Sequence, residues 1–193
     1  MPRPSKRDER REEILNAYGR CVARFGVEGA TLERVAEEAG LARALIRHNI
    51  GNKDELLLAF VDHFVATDNA NTNQFFLSLP QKNRLKTLLR YLFDFDYARD
   101  DSTRIGNALS AAGSEHPALA AKLRAWSQGF IDQLEHELKL AFPSAKPKAR
   151  KAAAAGIASI YFYCDSWAEL GGDNKLRRRS LLAVDMLLES LSD

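Results

Sequence analysis

Apolar residues recur every three to four positions in segment after segment of this chain, and none of its six prolines interrupts such a pattern. That combination leaves little room for anything but helices. Clean alternation over two residues, the mark of a half-buried strand, is nearly absent. Pro2, Pro4, Pro80, Pro117, Pro143 and Pro147 fall at ends or connections, where a missing N–H and a fixed φ cost least. An all-α fold follows. With 46% apolar residues in 193, the chain can bury a substantial core, as one domain or two small ones.

The first helix is expected over about 8–25, with Ile14, Leu15, Tyr18, Val22 and Phe25 as one apolar stripe and Gly26 and Gly29 ending it. Thr31 stands where an N-cap is wanted for a second helix over about 32–39. Glu33 suits the positive end of that helix, while Arg34 occupies the place of a capping-box carboxylate. Leu32, Val35, Ala36 and Ala39 make its buried face, and Gly40 supplies the left-handed turn that stops it. A short third helix spans about 42–48. Asn52 and Glu55 form a reciprocal cap for a fourth, whose stripe is Leu56, Leu57, Phe60, Val61 and Phe64. Beyond about residue 66 the segments grow longer and richer in aromatics, with helices expected near 67–78, 82–98, 103–113, 117–142, 147–170 and 174–191. Pro117 reads as a first-turn proline, and Asp173 or Asn174 as the cap of the last helix. Two domains result, 1–66 and 67–193.

Several function classes fall away. No apolar run approaches the ~20 residues of a membrane span, and the charged N-terminus has no signal-peptide core, so no membrane partner and a cytoplasmic location are expected. Cys21 and Cys164 lie far apart on helical patterns and read as buried thiols. The four histidines, His48, His63, His116 and His136, share no motif, so neither an enzyme nor a metal or other cofactor is expected. The net charge of +2 does not by itself announce nucleic acid, but residues 1–11 set Arg3, Lys6, Arg7, Arg10 and Arg11 against Asp8 and Glu9. Basic arms of this kind often touch phosphate.

The informative stretch is 31–56. Two short helices joined at Gly40 and braced by a longer one before them make a helix-turn-helix unit, about 31–50, of the kind whose second helix enters the DNA major groove. At about 100° per residue, a core face set by Ile46 and Ile50 leaves Ala44 and His48 pointing outward. Leu45 and Arg47 flank them, with Arg43 at the rim. This face carries no acidic residue. Arg43 and Arg47 have the donor fork that reads guanine O6 and N7, Leu45 can meet a thymine methyl, and Ala44 lets the backbone approach closely. Lys53, opening the fourth helix, and Thr31, opening the second, are placed for phosphates.

In these residues the chain resembles the TetR family of bacterial transcription regulators. The resemblance rests on Thr31 opening the second helix, Val35-Ala36, the Ala39-Gly40-Leu41 turn, the short helix 42–48 and the run Lys53-Asp54-Glu55-Leu56, and it covers about residues 8–64. Where the family often carries aromatics over 47–50, this chain has Arg47, His48, Asn49 and Ile50. Position 45, frequently Thr, is Leu. The resemblance implies a homodimeric repressor that binds a palindromic operator in double-stranded DNA. It also implies a ligand-binding and dimerisation domain after about residue 66, where a small-molecule effector moves the fourth helix and releases the DNA. Phe93, Tyr97, Trp126, Phe130, Tyr163 and Trp167 are the ring-bearing candidates for an apolar or planar effector, with Asn107, Gln128 and Asp165 as polar groups near them. The last two helices are the expected dimer contact, through Ala152, Ala155, Gly156 and Ser159 on one and Leu181, Val184, Leu188 and Leu191 on the other. Lys175, Arg177, Arg178 and Arg179 read as a solvated helix start. The departures at Arg47 and Asn49 keep open a second reading, a small-molecule binding protein of the same fold with weakened DNA binding, acting through another partner.

Overall fold

The computed structural model describes residues 5–93, 101–171 and 173–192. Among these residues every regular element is an α-helix: α1 Lys6–Gly29, α2 Leu32–Ala39, α3 Arg43–Asn49, α4 Lys53–Ser78, α5 Arg84–Leu92, α6 Ser102–Ala112, α7 Pro117–Ala141, α8 Pro147–Glu169 and α9 Asn174–Glu189. They form two compact units. One holds residues 5–70 and 101–123, the other 71–93, 124–171 and 173–192.

In the first unit α1 packs on α2, α3 and α6. Ile14, Tyr18, Val35, Ile46, Leu56 and Leu109 are fully enclosed there. Gly19 lets α1 come close: a Cβ on it would stand 2.9 Å from the Phe60 ring. At Gly26 the backbone turns to φ 69°, which ends the straight part of α1 at the glycine expected to end it, and the helix stops at Gly29. Phe25 departs from the expected stripe. It is 47% exposed, because the chain turns there, and what cover its ring has includes the Arg34 guanidinium at 4.5 Å from the centroid. The same guanidinium donates to Gly29 O at 2.7 Å, so Arg34 ties α2 to the end of α1 instead of completing a capping box.

The expected break at 66/67 is missing: α4 runs unbroken to Ser78, as nothing in 66–78 is a Gly or Pro that would interrupt it. In the second unit, Leu88, Leu138, Ala154, Ile157 and Val184 belong to one core. Arginines drawn inward by carboxylates close it. Arg84 pairs with Glu137, which is 3% exposed, and also donates to Phe76 O and Leu79 O at the end of α4. Arg177 lies at 6% exposure, donates to Leu92 O and pairs with Asp165. It is therefore not part of a solvated helix start, because its carboxylate partner and a helix-end carbonyl draw it inward.

Candidate nucleic-acid interface

The short helix α3 could not persist alone. Ile46 docks it, fully buried, and Gly40 at φ 64° sets the turn that leads into it. Leu41 N–H donates to Ala36 O at 2.9 Å and closes that turn. Asn49 Nδ2 donates to Leu45 O at 2.7 Å, which satisfies a carbonyl near the C-terminal end of the helix from within. Position 49 thus braces α3 itself.

With Ile46 held inward, Arg43, Ala44, Leu45, Arg47 and His48 are all exposed. Arg47 and His48 form no ion pair among the described residues. Leu45, 44% exposed, lies on this same face. Thr31 accepts a long hydrogen bond from Arg34 N at 3.4 Å and so occupies the N-cap of α2. At the start of α4, Glu55 N donates to Asn52 Oδ1 at 2.9 Å and Asn52 N donates to Glu55 Oε2 at 2.8 Å, the reciprocal cap expected from the sequence. That cap fixes where Lys53 leaves the helix. The surface therefore presents a cationic and partly apolar helix face beside two helix N-termini, an arrangement that can meet phosphates and base edges together.

Two partners on this surface were not legible in the sequence. Arg43 Nη1 lies 2.8 Å from Glu33 Oε1, and Lys53 Nζ lies 2.7 Å from Glu28 Oε2. The hydrogen bond from Lys53 holds the Glu28 carboxyl below its ordinary range. A bond from its own backbone N–H, and then the Arg43 charge, do the same for Glu33. Although α3 has no acidic residue on its outward face, its neighbours supply two. Opposite charges 10 and 25 positions apart carry no signal until the turns bring them together.

The ring-bearing candidates divide. Phe93, Trp126 and Phe130 join a cluster with Tyr161 and Phe162: Phe130 lies 5.6 Å from Tyr161 and 5.5 Å from Phe162, Trp126 6.3 Å from Phe162, and Phe93 6.4 Å from Tyr161. Phe76 joins at 6.4 Å from Phe130. Tyr161, Phe162 and Phe76 went unnoticed in the sequence, where each reads as ordinary helix core. Tyr97 lies outside the described residues. Tyr163 and Trp167 stand apart from the cluster. They stack on each other at 6.4 Å with exposures of 58% and 37%, because positions 163 and 167 share the face of α8 opposite to the one that meets the core. The polar candidates do not converge either. Asn107 is in the first unit, Gln128 donates to Asp132 at 2.8 Å on the surface, and Asp165 is taken by Arg177.

The dimer stripe expected on α9 also turns inward. Val184 and Leu191 are in the core and Leu181 and Leu188 pack against it, whereas Leu182 and Met186 are 63% and 70% exposed. Gly156 serves the packing of α8 on α9 within the chain, since a Cβ there would stand 3.1 Å from Leu187.

Known proteins resemble this chain in sequence and in fold. Residues 14–60 match the family model described as bacterial regulatory proteins, tetR family. The HTH-type transcriptional regulator BetI of Stenotrophomonas maltophilia is 27% identical over 167 residues, 83% of this chain and 81% of its own length. The HTH-type transcriptional repressor AcnR of Corynebacterium jeikeium is 45% identical over 60 residues, covering 30% of this chain and 32% of that one. A TetR transcription regulator from Haloarcula marismortui shares the fold, with a TM-score of 0.76 over 94% of this chain and 97% of that one at 17% identity.

Proposed function

We propose, for a chain that belongs to the TetR family of DNA-binding transcription regulators, that it is a homodimeric repressor released from a palindromic operator by a small aromatic or apolar effector. The observation that carries the DNA-binding part is the outward face of α3. Arg43, Ala44, Leu45, Arg47 and His48 are exposed together while Ile46 alone is fully buried. On this reading Arg47 reads a guanine, Leu45 meets a thymine methyl, and Arg43, His48, Lys53 and Thr31 hold the backbone. The bacterial regulators it resembles support a cytoplasmic place of action, and among the described residues no helix is long and apolar enough to cross a membrane.

The dimer is inferred from an unpartnered apolar face. On α8 the positions Ala152, Ala155, Ser159, Tyr163 and Trp167 fall on one side at helical spacing, with the exposed Leu170 just past its end. On α9, Leu182 and Met186 are one turn apart and both exposed. Large exposed side chains in such stripes on adjacent helices support an isologous contact with a second copy, a four-helix arrangement. Two recognition helices about 34 Å apart then fit successive turns of a palindrome.

For the effector, the ring cluster of Phe93, Trp126, Phe130, Tyr161 and Phe162 supports a planar or apolar compound, which would exchange ring–ring contacts for ligand contacts. The test of the reading is selection of genomic fragments by the purified protein. Enrichment of one palindromic sequence is expected. Failure to enrich any sequence by a folded protein would leave the second reading, a small-molecule binder acting through another partner.

A further inference from the structure

On the candidate DNA surface Arg43 and Lys53 are already paired within the chain, while Arg47 has no carboxylate partner among the described residues. Arg43 on α3 meets Glu33 on α2 at 2.8 Å, and Lys53 on α4 meets Glu28 near the end of α1 at 2.7 Å, with a weaker bond to Glu28 O at 3.4 Å. These lengths are those of charge-assisted bonds, the same that a phosphate oxygen would make with either cation. We propose that Glu28 and Glu33 are internal counter-ions of the DNA surface, occupying the positions beside Lys53 and Arg43 that phosphates take when DNA binds. The inference rests on the DNA-binding reading above.

A different carboxylate in the same unit shows what a structural pair looks like here. Glu38 is 22% exposed and is gripped by two arginines, Arg20 and Arg24, which clamp α1 to α2. Glu28 and Glu33 are 77% and 59% exposed and hold one cation each. Exposed single pairs are weak and exchange their partners readily. Each gives its cation an oxygen partner of the kind a phosphate also offers, and each cancels charge where charge matters most. In the free protein, among the described residues of this surface, Arg47 and His48 have no carboxylate partner whereas Arg43 and Lys53 do, so long-range attraction to any duplex is reduced. Once DNA displaces the carboxylates, each is left near phosphates and takes up a cation from solution. Fewer ions are then released overall than the number of contacted phosphates implies.

The experiment compares wild type with Glu28→Gln, Glu33→Gln, the double variant and Asp132→Asn, on a selected operator duplex and on a random duplex, from low to moderate KCl. Asp132 is exposed on α7, outside both this surface and the exposed stripes of α8 and α9, and its substitution changes the net charge equally. Each of the first two substitutions is expected to tighten both duplexes roughly two- to five-fold. Each should also steepen the slope of log affinity against log salt by about 0.9, with the double variant showing both effects together. Asp132→Asn should move neither. Glu28→Ala and Glu33→Ala serve where a Gln variant folds poorly. Unchanged affinity and slope in the variants, beside a wild type that binds, overturns the inference and spares the DNA-binding reading. Weakened binding also overturns it, since the carboxylates would then be supports that aim the cations. A folded wild type that binds neither duplex overturns both.

Discussion

Tyr18 shows how much of the first unit depends on one side chain. It is fully buried with its ring edge-on to Phe60 at 5.1 Å, and its hydroxyl has no hydrogen-bond partner among the described residues. Burial, aided by the Glu28 charge, pushes its phenol well above the ordinary 10.0. The folded state therefore keeps a proton that the unfolded chain gives up. This stability is full below about pH 10 and is lost as pH rises beyond it. Tyr18→Phe removes an unsatisfied polar atom and keeps the ring. It is expected to leave the neutral-pH stability unchanged or raise it by about 1 kcal/mol, and to flatten the alkaline fall in the unfolding midpoint. Chemical denaturation at neutral and alkaline pH checks both. A clear loss of stability with the alkaline fall intact would show that the hydroxyl is satisfied in solution. The apolar pattern alone made Tyr18 a core residue. The missing partner for its oxygen depends on what closes over it and was not legible.

At the scale of elements, start signals were the most legible part. Asn52 with Glu55, Thr31, Pro117 and Asp173 cap or open helices where the sequence expected them, because a cap is a contact across two or three residues. Asn52→Ala is expected to cost about 1 kcal/mol in a urea titration, and its absence of effect would mean that packing of Leu56 and Leu57 alone fixes the start of α4. Faces were less legible than boundaries. The periodicity of α9 offers two stripes, and the one with more leucines, through Val184 and Leu191, went to the chain's own core. Arg177 sat in a run of cations and still became buried, because its partners Asp165 and Leu92 lie 12 and 85 positions away. Long-range pairs of this kind have no local pattern. The same blindness hid the pairing of Glu28 and Glu33 with cations of the candidate DNA surface.

For the whole molecule, the proposed dimer and the proposed operator are linked, since two heads must engage one palindrome together. Replacing both Leu182 and Met186 with Glu puts charge on the exposed stripe of α9 and leaves the core stripe intact. Light scattering is expected to give a folded monomer, with operator affinity lost by a hundred-fold or more on the order set by bivalent contact. A variant that stays dimeric would move the contact elsewhere. The central claim, that the outward face of α3 reads bases, is tested most directly by Arg47→Ala. Its affinity and that of wild type are measured across operators that carry every single base-pair substitution. The variant is expected to lose about 1–3 kcal/mol of preference at one base pair in each half-site and to keep the others. A loss spread evenly over all sequences would make Arg47 a phosphate contact and contradict the assignment.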